Sequence, residues 1–302
     1  MIQHFVGILY LIGAFSLAGT SVIAGRFVSG NLGTFTIAAA SLFFALLGLI
    51  PLCISNLRST LQFLSVGMWI KLLFQALFGI FLFRMFLLQA LVLTSTGEAG
   101  ILTGVTPAVT VLLAWLLLKE SLSKLRIFGV ISTVTGILVI QGLFSSGTEF
   151  SEDHMLGNLL VICAALCESI FNVLSRLESA KAAERPEPLF DPIVQSTLVT
   201  AIALFLCLVP AFMEEPFTRL NLLDIKGWGA LVWYGLFVTA LAFIFWYKGI
   251  RRCKASVAAT FSGMMPLTSL ILAILILGEH PGVEQWAGGL LILGGMVMTV
   301  PE

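Results

Sequence analysis

Of 302 residues, 59% are hydrophobic and only 11% are charged, and the mean hydropathy is +1.06. A soluble domain carries about 25% charged residues, and no soluble globule could hide so much apolar surface. The formal net charge is zero, so no acidic or nucleic-acid partner is suggested; a helical integral membrane protein is what the composition points to.

Ten apolar stretches follow in chain order, at 4–25, 32–54, 67–91, 96–118, 125–143, 156–176, 191–212, 227–248, 255–277 and 284–300. Each is near the length of about 20 residues that a bilayer-spanning helix needs. The runs are continuously apolar rather than alternating, which excludes a β-barrel. The first run has no Lys or Arg within residues 1–5 and is longer than a signal-peptide core, so it reads as the first transmembrane helix and not as a cleaved leader. With the N-terminus inside, the inner loops collect twelve Lys and Arg, from Arg58 to Lys254, and the outer loops only Arg26, Arg219 and Lys226. That asymmetry predicts both termini in the cytoplasm.

Five cysteines lie in or beside apolar runs and read as free, packed thiols. The three histidines, His4, His154 and His280, are scattered at segment ends, so no metal site and no cofactor is expected.

An internal repeat is visible at an offset of 159 residues. It pairs Pro51 with Pro210, Trp69 with Trp228, Pro107 with Pro266, Glu120 with Glu279, Gly129 with Gly288 and Gly136 with Gly295. Each repeat holds five apolar runs, an odd number, so the second must enter the membrane upside down. The hinge KESLSKLR at 119–126 and its twin GEHPGVEQ at 278–285 agree: both hold the glutamate, and only the inner one holds Lys and Arg. Two units are expected, residues 1–143 and 144–302. Inverted repeats are common in secondary transporters, where the halves rock about a midplane site.

In each half a small-residue helix start (Gly97-Glu98-Ala99, Ser256-Val257-Ala258) leads to a proline, a Leu/Ile-rich run, a hinge glutamate and a glycine-bearing final helix. By these features the chain resembles the drug/metabolite transporter superfamily, specifically its EamA-type ten-helix exporters. The resemblance spans the whole chain. It implies an all-α integral membrane fold of ten transmembrane helices in two inverted five-helix repeats, at the bacterial inner (plasma) membrane. It also implies export of a small metabolite, such as an amino acid or a drug-like compound.

Charges within spans cost ~2.5–3.5 kcal/mol at the helix centre on insertion scales and call for a reason. Arg84 lies well inside the third run and Glu98 opens the fourth, across a short turn; the pair would bind a carboxylate or gate a pocket, or else tie a hairpin together. Glu168 and Asn172 form a polar stripe on the sixth run, with Ser175 beyond. Glu168 would carry a coupling proton or meet a substrate amine, or else stay neutral between helices. Gln89 and Gln75 on the third run add polar candidates. Trp233, Phe237, Phe243 and Tyr247 follow helical spacing on the eighth run and would line an apolar pocket, or simply pack. Pro107 and Pro266 would bend their helices as gates or static kinks. Glu120 and Glu279 are expected to cap or orient the hinges.

No phosphate-binding motif is present, so transport would run on an ion gradient or exchange, with protons the expected ion. A membrane-embedded enzyme or a non-transporting membrane protein is the alternative; the first would need clustered His, Asp or Cys at helix ends, and the second would not need mirrored halves.

Overall fold

The structure, a computed structural model, describes residues 2–28, 32–94, 102, 106–140, 155–184, 191–277 and 282–299. Over their described parts the ten apolar stretches are mostly helical, with breaks at Thr20 and at Ser262–Gly263. In chain order the helices are α1 (Ile2–Gly19), α2 (Ser21–Val28), α3 (Thr34–Phe63), α4 (Val66–Ala76), α5 (Phe83–Leu93), α6 (Thr106–Leu118), α7 (Lys124–Ile140) and α8 (Met155–Glu184). They continue as α9 (Pro192–Phe212), α10 (Pro216–Leu220), α11 (Ile225–Trp233), α12 (Ala242–Ile250), α13 (Ala255–Phe261), α14 (Met264–Leu277) and α15 (Val283–Thr299). Two π-helical turns, Leu77–Leu82 and Tyr234–Leu241, join α4 to α5 and α11 to α12 into continuous rods.

Six of these rods are long and apolar enough to cross a bilayer: Thr34–Phe63, Val66–Leu87, Met155–Leu177, Pro192–Phe212, Ile225–Ile250 and Ala255–Ile276. The surface of the whole bundle inverts that of a soluble protein. Phe205, Val209, Leu290 and Val297 are each more than 70% exposed, while alanines 14, 38, 45, 76, 90, 114, 164 and 203 are buried where helices meet. Lipid gives helices no hydrophobic reason to associate, so close backbone approach through small residues holds such bundles together. The chain is a multi-pass, all-helical membrane protein.

The helix pairing is regular. The α1 helix runs antiparallel to α12: a Cβ on Gly7 would meet Arg252 and Cys253, and one on Gly13 would meet Phe245. In the same way α5 and its π turn pair with α8, with Gly79 against Phe171 and Gly157 against Leu93 and Thr94. The α3 helix pairs with α9, Cys53 lying 3.2 Å from Thr197. Most intimate is α7 on α15, where Gly129 faces the Gly295 carbonyl and Gly136 faces that of Gly288. Between those points the Ser132 hydroxyl donates to the Leu291 carbonyl at 2.8 Å. Residues 132 and 291 are 159 apart, so each touches its own counterpart in the sequence repeat.

Contacts between helix ends also gather arginines on one side. Arg252 reaches Gln3, Arg176 reaches the Ile250 carbonyl, and Glu120 reaches Ala255, all at what is here called the basic end. Thr36 with Glu214, and Thr20 with Trp233, mark the opposite end.

Candidate functional site

A buried polar cluster crosses the bundle near the basic end. The Tyr247 hydroxyl donates to Gln75 Oε1 at 2.8 Å, and Gln195 Nε2 donates to the same oxygen at 3.0 Å. Three rods converge there: α4, α9 and α12. Ser175 of α8 adds a fourth group within hydrogen-bonding reach of Tyr247. All four side chains are buried. An amide oxygen has two lone pairs, and both are used. Around the cluster pack Phe171, Phe243 and Trp246, with Phe171 stacked on Trp246 at a centroid distance of 6.2 Å. Phe15 meets Trp246 edge-on at 5.6 Å. The Trp246 Nε1–H is buried and finds no acceptor among the described residues. Together these groups tie α4, α8, α9 and α12 to one another near the basic end.

Glu168 lies further along α8 and faces α6, taking a hydrogen bond from the Thr106 side chain. Beside it the Ser169 hydroxyl donates to the Ala165 and Thr106 carbonyls, and Asn172 Nδ2 makes a long contact, 3.5 Å, with Thr110 Oγ1. The polar stripe therefore joins two helices and does not face lipid, as backbone-depth polarity in a membrane requires.

Arg84 follows the π turn Leu77–Leu82 and points the other way, with its Cζ 5.7 Å from the centre of the Tyr234 ring. Its field also reaches the buried Cys207 of α9. Among the described residues no carboxylate pairs with it; Glu98 lies outside the described residues. The α5–α8 register, set by Gly79 on Phe171 and Gly157 on Leu93, puts Arg84 level with Leu166. At 1.5 Å per residue, Arg84 and Glu168 differ in depth by only about 3 Å. Gln89, further along α5, is exposed.

The aromatic stripe does not hold as one face. Trp233 stacks on Phe237 at 4.3 Å, both exposed, and its Nε1 donates to Thr20 Oγ1 at 3.0 Å. Phe243 and Tyr247 instead pack on Phe171. The π turn Tyr234–Leu241 between them widens the helix and shifts the angular register, so a spacing count made at 3.6 residues per turn fails there. Tyr234, which the stripe omitted, is the residue that faces Arg84.

Pro266 sits in the first turn of α14, after a break at Ser262–Gly263. Proline has no N–H for the Ser262 carbonyl and its ring crowds that carbonyl, which accounts for the break. Pro107 likewise lies in the first turn of the described α6.

Two carboxylates at helix ends tie distant segments together. Glu120 accepts from the backbone N–H of Ala255 (2.8 Å) and Ser256 (3.2 Å) and from the Ser256 hydroxyl (2.9 Å), capping α13. Arg176 Nε lies 3.9 Å from it. At the other end Glu214 does the same for α3, through Phe35 N, Thr36 N and Thr36 Oγ1 at 3.2, 2.7 and 2.8 Å. A Cβ on Gly33 would fall on the Glu214 carboxylate, so a larger residue there would have to displace the cap. Glu279 lies outside the described residues. The Glu214 cap had no sequence signal beyond a carboxylate at a run's end.

The model of the EamA-like transporter family matches residues 5–142 and 155–300. The uncharacterized transporter YetK of Bacillus subtilis (strain 168) is 30% identical over 293 residues, covering 96% of this chain and 85% of its own. The aromatic amino acid exporter YddG of Ancylobacter novellus is 25% identical over 224 residues, 74% of this chain and 73% of its own. A crystal structure superposes with a TM-score of 0.76 at 21% identity, over 98% of this chain and 95% of that one.

Proposed function

We propose, for a chain that belongs to the EamA-like transporter family, a secondary transporter that exports a small metabolite by alternating access between two inverted five-helix halves, residues 1–143 and 144–302. The observation that carries the reading is the common depth of two intramembrane charges, Arg84 and Glu168, on rods from the two sequence repeats. Intramembrane ionisable groups are kept for function far more often than for packing.

The substrate class we infer is an aromatic amino acid or a similar zwitterion with a flat apolar body. Arg84 takes the carboxylate and Glu168 the amine, and the rings of Phe171, Phe243 and Trp246 take the apolar body. The spare Trp246 N–H is a further donor for it. The relative named an aromatic amino acid exporter supports this choice. The inverted-repeat reading is supported by the seam of α7 on α15, where counterpart residues face one another, and by mirrored π turns near 77–82 and 234–241. In this scheme the basic end is cytoplasmic, as its Lys and Arg content favours. The Gln75–Tyr247–Gln195 cluster is then the inner gate, which must part to admit cargo. A proton on Glu168 would be exchanged for the substrate amine, which couples export to the gradient across the inner membrane.

Counterflow of labelled aromatic amino acids in proteoliposomes tests the reading. Arg84→Ala and Glu168→Gln should each lower uptake by more than tenfold while leaving the monodisperse, folded protein intact. Wild-type rates in both variants would refute the site.

A further inference from the structure

Away from that site, a groove of ≈ 560 Å³ lies between α2, α11 and α14 at the end opposite the basic one. Its walls are almost wholly apolar: Ala24 and Phe27 of α2, Gly229 and Ala230 of α11, and Leu272 and Ile276 of α14. Polar groups are few and segregated. At the inner end the Trp233 N–H is committed to Thr20 Oγ1, so nothing there invites a polar ligand. At the rim stands the ammonium of Lys226, one residue into a span that starts at Ile225. From Lys226 to Trp233 the groove follows seven residues of helix, about 10 Å from the interface into a hydrocarbon core roughly 30 Å thick.

Gly229 gives this groove its depth. A glycine inside a helix destabilises it by about 1 kcal/mol relative to alanine unless closeness repays the loss. Glycines 129, 136, 235 and 249 are pressed against neighbouring atoms, whereas a Cβ at Gly229 would meet nothing within 4 Å. Gly229 leaves open space in the groove wall.

We propose that this groove holds one anionic phospholipid of the surrounding leaflet, an acyl chain lying along Gly229, Ala230 and Leu272 and the phosphate paired with Lys226. The membrane setting supplies the ligand at high local concentration, the apolar wall matches a chain, and Lys226, the one cation among the described lining residues, stands at interface depth and matches an anionic headgroup. The proposal does not depend on the roles given to Arg84 and Glu168.

The test uses the full chain in nanodiscs of phosphatidylcholine doped with phosphatidylglycerol, with retained lipid read by native mass spectrometry and stabilisation by thermal shift. Wild type should keep one phosphatidylglycerol in preference to phosphatidylcholine. Lys226→Ala should lower that preference at least about fivefold, while Lys226→Arg keeps it. Gly229→Leu should expel the lipid and Gly229→Ala should not; Arg219→Ala, at the same end but outside the groove, should match wild type. If Gly229→Leu does not fold, the lysine pair decides alone. Equal retention in wild type and Lys226→Ala overturns the proposal. So does indifference between the two lipids, displacement of the lipid by a transported amino acid, or a dimer that forms in its place and is lost in Gly229→Leu.

Discussion

Tyr247 and Gln195 share one buried acceptor, the amide oxygen of Gln75. Removing one donor therefore has a different effect from removing the acceptor. Tyr247→Phe deletes one hydrogen bond and leaves Gln75 with the other, so thermal unfolding should show a loss of about 1 kcal/mol. Gln75→Leu strands two buried donors, each costing roughly 1–3 kcal/mol, and should lower stability more than Tyr247→Phe. The reverse order would mean that Gln75 is not the hub. Arg84, Glu168 and Asn172 were legible in sequence because a charge or an amide in an apolar run stands out. Gln75 stood out as weakly as Gln89, although one is the centre of a four-helix cluster and the other is exposed. Nothing local distinguishes them; the partners come from residues 120 and 172 positions away.

Among the elements, the two π turns and the two carboxylate caps do most to set geometry. Both π turns lie in the middle of long rods, and each precedes a residue that faces inward, Arg84 after one and Phe243 after the other. A π turn has no residue signature comparable to proline, so the spacing argument on the eighth run assumed an unbroken helix and merged two faces into one. The caps were partly legible: a hinge role for Glu120 is apparent in the sequence, but its target, the start of α13 some 135 residues on, is not. Helix N-termini expose N–H groups that must be satisfied, and a carboxylate does so with favourable charge. Glu120→Ala removes three such bonds and the nearby Arg176 contact, and should destabilise the protein by about 2 kcal/mol. A double-mutant cycle with Ser256→Ala should show coupling, because the Ser256 hydroxyl is one of the three donors; additive effects would argue against the cap.

For the whole molecule, the decisive surface is the seam of α7 on α15. The backbones approach so closely at Gly129, Gly136, Gly288 and Gly295 that a side chain at any of them collides with a carbonyl of the facing helix. Gly136→Val should therefore abolish recovery of folded protein, whereas Gly294→Ala, which meets nothing within 4 Å, should unfold at the wild-type temperature. Size-exclusion recovery and thermal melts in detergent check both. Equal behaviour of the two would mean that the seam is not what joins α7 to α15. The sequence alone determined the membrane setting, the ten apolar runs and the residue matches 159 apart, because composition and run length answer directly to the energetics of hydrocarbon burial. It also carried the resemblance to the family. Only the tertiary structure decided which polar groups meet, which glycines are pressed and which stand open, and where Glu214 acts. Those facts depend on how rods cross and how each is rotated about its axis, and a single π turn resets that rotation without changing the hydrophobic pattern from which a helix is read.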